Sequence, residues 1–486
     1  MAKQYQLPFQ LDDPTLLHFD SFINNEWVTA ADGSRFEVSD PGTSLPWASC
    51  PNNSAIDVPK AVESSHAAFE KFKKINPRIR AQLLMKWDGL IRDARSDLAK
   101  ILTHETGKPI AEAYGEIDYA LGFTWWFAGE AERIQGGISI PSAANRRVFT
   151  IKQPIGVAAA LIPWNFPIAM ALRKAAAAFA AGCTMIIKPS PKHNYHSRYS
   201  PSRPKGDFPL RLNRSALQAP PRQESDVHRL HRFVGKLIAA HCAPGLKKVT
   251  LELGGNCPFI VFDDANLEQA LDQLMALKWR HAGQACVTAN RIYVQSGVYE
   301  KFSQMLKERT SALVVGHGAD PNTNIGPVTT PRSLDKASSQ VEDAVKLGGK
   351  VILGGGRKKD CGGGYFFEPT IITDMKADML ISREETFAPI AALYRFETEE
   401  EAVKWANDTS MGLASYAFTK NVDRLWRMLE NLEAGMIGLN TGNSSAAESP
   451  FGGIKESGYG KESGKDVAVA EYLITKTGTF TVEGQY

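Results

Sequence analysis

An α/β architecture built on a doubly wound parallel sheet is the fold class this sequence predicts, on three observations. Helical and strand patterns alternate along most of the 486 residues. One β-α-β unit is legible between residues 156 and 189. Apolar residues make up 43% and charged residues 22%, the balance of a chain that buries a substantial core. The length suits two or three domains or one large enzyme.

Residues 54–74 and 78–106 read as amphipathic helices, because Ala81, Leu84, Trp87 and Leu90 recur at three- and four-residue steps. Between 133 and 157 the text turns to β-branched and turn residues and predicts an extended arm or hairpin. GVAAALIP (156–163) reads as a buried strand and WNFP as a turn. IAMALRKAAAAFAAG (168–182) reads as a helix, with Ala and Leu favouring it and Gly182 stopping it. CTMIIKP (183–189) is the return strand. Parallel units of this kind bind nucleotides at the carboxyl ends of their strands.

A second α/β region begins near 249. VTLELGG leads to IVFDD, then to a helix over LEQALDQLMALKWRHAG (267–283). Further strands are expected at RIYVQ, VILGG, PTIIT, IAALYRF, ASYAFT and MIGLN, with a helix over 298–313. The C-terminal EYLITKTGTFTVEG alternates and is a candidate partner for the 133–157 arm.

Residues 192–232 break this order. They hold five prolines, four of the ten histidines and only five residues from Ile, Leu, Val and Met. Neither periodicity survives, and the segment carries too little apolar surface to offset its ordering entropy, which predicts disorder. Its abrupt edges and its Arg, Pro, Ser and His bias point to a mistranslated frame or retained intron. The segment also distorts the charge balance: it contributes +6 to a net charge of +3, leaving −3 for the rest. Nucleic-acid binding is therefore not expected.

No apolar run reaches 18 residues, and the first residues lack a basic and then apolar leader, so neither a membrane partner nor secretion is expected. Six scattered cysteines, Cys50, Cys183, Cys242, Cys257, Cys286 and Cys361, suit a reducing, cytoplasmic setting. None has zinc-ligand spacing, and no metal is expected.

Four short motifs carry the chemistry: PWNFP (163–167), LELGGN (251–256), GQAC (283–286) and EETFAP (384–389). Each alone has a plain structural reading. A lone cysteine is most often a core residue. LELGGN suits a strand end with a glycine turn, PWNFP a turn and EETFAP a strand start. In this order and at these separations, the four resemble the aldehyde dehydrogenase superfamily, over residues 20–191 and 234–486. Within it, PFGGIKESGYGKE (450–462) and GLNTG (438–442) bring the chain closest to the succinate-semialdehyde dehydrogenases.

The resemblance implies a Rossmann-type cofactor domain (1–132 and 154–253), an α/β catalytic domain (254–446) and a small β oligomerisation arm (133–153 and 467–486). It implies a homodimer or homotetramer. Cys286 resembles the family nucleophile, whose thiolate attacks the aldehyde carbon. The Asn165 amide and the Cys286 N–H match the oxyanion donors. Glu252 resembles the base that activates water against the thioester. Lys174 resembles a lysine near the proton path, and equally suits a solvated helix lysine.

NAD or NADP is the cofactor the family implies, with Lys188 toward the adenosine ribose, Glu385 and Phe387 toward the nicotinamide ribose and ring, and Pro163 and Trp164 as a cleft wall. Ala388 replaces the glycine usual in the last motif. Arg173, Arg280 and Ser445 match positions that grip the distal carboxylate of succinate semialdehyde, a task for which guanidinium geometry is suited. Structural salt bridges are the other reading of both arginines. A broader-substrate aldehyde dehydrogenase, a catalytically silent member and a cofactor-independent thiol hydrolase are the competing assignments.

Three departures from the family stand out. Thr288 occupies the place of a second cysteine found in some members, so no local disulfide switch is available. Pro191 stands where some NAD-specific members carry an acid, so no carboxylate repels a 2′-phosphate. The F-T-G-S motif, whose backbone approaches the cofactor diphosphate at a helix start, is absent. Weak cofactor binding and poor stability are expected from that loss.

Overall fold

The computed structural model describes residues 5–190, 210–212 and 227–484. Two apolar cores dominate it. One surrounds the helix Pro167–Ala181 and the other a seven-stranded sheet.

In the first, strand Val157–Ile162 runs parallel to Thr184–Pro189, joined by the helix Pro167–Ala181. Pro167 opens that helix, where a missing N–H costs nothing, and Gly182 closes it at φ 91°. Its alanines are buried and let it lie close to the helices Pro77–Asp93 and Ile110–Ala131. Trp87, Phe123, Phe127 and Phe179 fill the space between. Full burial of each such side chain is worth about 1.5–3 kcal/mol. Ile110–Ala131 is buried on several faces, so it has no single apolar stripe for a periodicity argument to find.

The second core is built on strands in the spatial order Lys350–Leu353, Thr370–Thr373, Ile390–Phe396, Ala289–Gln295, Cys257–Val261, Ala414–Phe418 and Met436–Leu439. All neighbours are parallel except the first pair. The expected arm is present: Leu473–Thr481 pairs antiparallel with Arg146–Pro154, which also pairs with Gly137–Ser139.

Two expectations need correction. The helix expected over 267–283 ends at Lys278 and gives way to a turn over Arg280–Gly283. The His281 N–H donates to the Glu112 carboxylate at 2.7 Å, and the left-handed conformation of the turn breaks the helix. The expected loss of all regular structure over 192–232 also fails in part. Leu210–Leu212 extends the small sheet beside Thr184–Pro189, and a helix starts at Val227. An edge of a parallel sheet offers unpaired N–H and C=O groups that even three residues satisfy. Val227, Leu230 and Val234 have helical spacing. Pro191, 192–209 and 213–226 lie outside the described residues.

Candidate active site

The site forms where residues after the small sheet meet residues before strands of the large one. Asn165 follows Val157–Ile162, while Cys286 precedes Ala289–Gln295 and Phe387 precedes Ile390–Phe396. The Asn165 side-chain amide donates to the Gln284 carbonyl at 2.9 Å, joining the two halves. An amide NH₂ has two donors, so one N–H is left for a further acceptor at the turn that leads to Cys286.

The turn before Cys286 is left-handed at three consecutive residues: His281 (φ 50°), Ala282 (φ 52°) and Gly283 (φ 74°). The non-glycine members cost of order 1–3 kcal/mol each, and surrounding contacts must hold them. Besides the Glu112 bond, Gln284 Nε2 donates to the His281 carbonyl at 3.0 Å, and Thr329 N donates to Gln284 Oε1 at 2.9 Å. Gly283 is required here twice over, since a Cβ would lie 2.3 Å from the Ala388 carbonyl oxygen. Ala388 itself is buried.

Cys286 is half-buried. Burial, then the Glu252 and Glu385 carboxylates, push its thiol up to about 12, against the pull of Arg173. The resting sulfur is therefore a neutral thiol that must lose its proton as the reaction begins. Glu252, from the short strand Leu251–Glu252, is pushed up to about 8 by burial and by Glu462, opposed by Lys174, Arg173 and Lys461. Neither of its oxygens has a hydrogen-bond partner among the described residues. A carboxylate so placed is poised to take a proton near neutral pH.

Arg173 and Lys174 both reach Glu462. Lys174 Nζ lies 2.7 Å from that carboxylate and Arg173 Nη1 3.9 Å. Arg173 is 2% exposed, its guanidinium 3.9 Å from the Phe451 ring centroid. Its Nη2 donates to the Tyr119 hydroxyl at 2.6 Å, and Tyr119 in turn bonds Ser445 Oγ. Nε and Nη1 of Arg173 have no hydrogen-bond partner among the described residues. Tyr119 thus ties together two of the three residues expected to hold a distal carboxylate. The third, Arg280, is exposed, 5.4 Å from the Phe166 ring.

The cofactor positions fall on both sides of the junction. Exposed Pro163 and half-buried Trp164 and Lys188 come from the ends of the two parallel strands. Trp164 meets Phe387 edge-on, with ring centroids 5.6 Å apart. Glu385 is buried, accepts the Gly255 N–H at 3.2 Å, and is pushed up to about 7 by burial. Aromatic side chains, a buried acid and a lysine at a strand end are residue types that suit a dinucleotide site.

Tyr119 and Glu462 were not singled out by sequence reasoning. Glu462 ends the PFGGIKESGYGKE stretch, which was its available signal; Tyr119 sits on a long helix with no motif around it. A second titratable group lies elsewhere. Asp40 Oδ2 bonds His104 Nδ1 at 2.6 Å and His317 Nε2 at 2.9 Å, across 64 and 277 residues of chain. His317 Nδ1 accepts the Ala319 N–H at 3.1 Å, which puts its proton on Nε2, facing Asp40. That ring offers the group's centre a proton rather than a lone pair, the arrangement of a hydrogen-bonded triad rather than a metal centre.

Residues 27–198 and 232–478 match the model of the aldehyde dehydrogenase family, on either side of 199–231. A succinate-semialdehyde dehydrogenase [NADP(+)] of Schizosaccharomyces pombe is 43% identical, with 95% of each chain covered. A 3-sulfolactaldehyde dehydrogenase of Pseudomonas putida is 41% identical, covering 96% of this chain and 98% of that one. The crystal structure of succinate-semialdehyde dehydrogenase from Burkholderia pseudomallei superposes with a TM-score of 0.91 at 39% identity, covering 98% of this chain and 100% of that one.

Proposed function

This chain belongs to the aldehyde dehydrogenase family, and from that premise we propose that it oxidises succinate semialdehyde to succinate through a thioester on Cys286. It is an aldehyde dehydrogenase using NAD or NADP. The observation that carries the substrate assignment is Arg173: a buried guanidinium, oriented by Tyr119, with no hydrogen bond to Nε or Nη1 among the described residues and the nearest carboxylate, Glu462, at 3.9 Å and also paired to Lys174. A buried cation with free donors is costly unless an anion completes it. A terminal carboxylate on the aldehyde supplies that anion, with Ser445 beside it and Arg280 as the second cation. The names of two relatives, for succinate semialdehyde and 3-sulfolactaldehyde, likewise denote aldehydes with an acidic group.

In this reading the Cys286 thiol gives its proton to ionised Glu252, which releases it toward the Lys174–Glu462 pair, and the sulfur attacks the carbonyl carbon. The oxyanion is held by the free N–H of the Asn165 amide and by the Cys286 backbone N–H. The bound dinucleotide supplies the two-electron acceptor, with Lys188, Pro163, Trp164, Glu385 and Phe387 to hold it. Glu252 then takes a proton from the water that hydrolyses the thioester, and the Lys174–Glu462 pair adjoins it as an outlet.

We assign 1–132 and 154–253 to cofactor binding, 254–446 to catalysis, and 133–153 with 467–486 to an arm joining copies into a dimer or tetramer. Ile138 on that arm is 82% exposed, an apolar surface suited to a second copy. No helix among the described residues is long and apolar enough to cross a membrane. We place the reaction in the cytoplasm, in 4-aminobutyrate breakdown.

The missing F-T-G-S motif favours one second reading, a cofactor-impaired member that retains thiol hydrolysis. An assay with succinate semialdehyde, with and without NAD or NADP, separates the two. Reduced nicotinamide appearing in its own absorbance band supports the dehydrogenase. Ester cleavage with no reduced nicotinamide at any cofactor concentration supports the hydrolase.

A further inference from the structure

We infer that the buried Lys108–Glu116 ion pair is a positioning device for Asn165, holding the backbone on both sides of that residue so that its amide meets the reacting carbonyl oxygen. This rests on the reading of Asn165 as an oxyanion donor. Both side chains are fully buried. Lys108 Nζ touches one Glu116 oxygen and donates to the Asn165 backbone carbonyl at 2.9 Å, with the Phe166 ring centroid 4.2 Å away. The other Glu116 oxygen accepts the N–H groups of Ile168 (2.9 Å) and Ala169 (3.2 Å), in the first turn of Pro167–Ala181. The pair therefore grips the carbonyl of Asn165 itself and the N–H groups three and four residues further on.

With the backbone fixed, the amide is left only its own side-chain rotation, and the 2.9 Å bond to the Gln284 carbonyl removes that. One N–H is thereby aimed and free. A buried ion pair is a poor way to gain stability, since a well-packed apolar pair of equal volume does as well or better. What an apolar pair cannot do is bond a bare carbonyl on one side of a turn and bare N–H groups on the other. That is the work this pair does, and it does it at the turn that carries Asn165. Displacing such a donor by about 1 Å costs on the order of 100-fold in rate.

The test uses Lys108→Met combined with Glu116→Gln, which removes both charges together, preserves volume and leaves a Gln oxygen for the Ile168 N–H. The readout is the burst rate of Cys286 acylation by p-nitrophenyl acetate, which needs the oxyanion donor and no nicotinamide. The double variant is expected to lower that rate about 10- to 100-fold in the parent chain and less than about twofold in an Asn165→Ala background. Equal losses in both backgrounds would show a general structural role and overturn the inference. An Asn165→Ala chain with an unchanged burst would overturn the oxyanion reading beneath it, leaving the pair nothing to position. Should the double variant not accumulate folded, Glu116→Asp keeps both charges, withdraws the carboxylate by one methylene, and is compared across the same two backgrounds.

Discussion

Arg173 Nη2 donates to the Tyr119 hydroxyl at 2.6 Å while Nε and Nη1 of the same guanidinium remain unbonded among the described residues. Tyr119 acts as a bracket that fixes one edge of the cation, while Nη1 faces the Glu462 carboxylate at 3.9 Å; in the proposed reading the remaining donors serve the substrate carboxylate.

From this bracket, Tyr119→Phe should raise KM for succinate semialdehyde about tenfold with little change in kcat, while leaving an uncharged aldehyde of similar length unaffected. A hydrogen bond to a charged group is worth about 1.5–3 kcal/mol. Arg173→Gln should cost more, and Arg280→Gln less, because Arg280 is exposed and its pairing is screened. Steady-state kinetics on both aldehydes check the ordering. Equal penalties on the two substrates would remove the carboxylate assignment.

Glu252 works as a base only when ionised, and its carboxyl is pushed up to about 8. Deacylation of the Cys286 ester intermediate should therefore fall about tenfold per unit as pH drops below 8, and level off above it. Glu462→Gln removes a neighbouring negative charge that raises Glu252, so the midpoint should move to lower pH. A pH profile of ester turnover measures both, and Glu252→Gln should flatten it.

Replacing Cys286 by Ala should abolish oxidation and ester cleavage alike, by at least about 10³-fold, while circular dichroism and thermal midpoint stay near those of the parent. Cys286 is half-buried as a residue, and removing one sulfur leaves only a small void. A variant that still turns over would place the nucleophile elsewhere.

Asp40 contributes to acid stability. Burial favours its neutral form, but hydrogen bonds from His104 and His317 outweigh this and hold it at about 2, against an ordinary 3.8. A depressed carboxyl stabilises the fold above its unfolded pKa and loses that contribution as pH falls toward the folded value. About 2 kcal/mol should disappear between pH 4 and pH 2. Chemical denaturation across that range should show the loss in the parent chain and not in Asp40→Asn.

Cofactor affinity should be poor, with Kd on the order of 1 mM for NAD and NADP (about −4 kcal/mol), because no F-T-G-S turn is present to meet the diphosphate. Fluorescence titration with the reduced dinucleotides measures it. Micromolar binding would show that the segment beyond Pro189 supplies other diphosphate ligands.

Much of the fold was legible because local rules and tertiary outcome agree. The helix Pro167–Ala181 has a proline start, an alanine body and a glycine stop, and each does in the structure what its chemistry suggests. The turn at His281–Gly283 was not legible, since its helical pattern is overruled by a bond to Glu112, 169 residues away. Residues embedded in motifs, such as Asn165 and Cys286, could be put forward from sequence as candidates. Tyr119, Lys108 and Glu116 could not, because their significance lies in contacts with Ser445, Arg173 and the Asn165 turn that no spacing encodes. The triad of Asp40, His104 and His317 is invisible for the same reason.

The pairing of Leu473–Thr481 with Arg146–Pro154 also bears on how the chain reaches its native state. Lys152 and Thr475, bonded across that ladder, are separated by 323 residues. Contacts so distant in sequence form late, after the entropy of closing the intervening loop has been met. Until synthesis delivers the last strand, Arg146–Pro154 shows one unpaired edge, open to capture by a chaperone or by the same edge of another nascent copy.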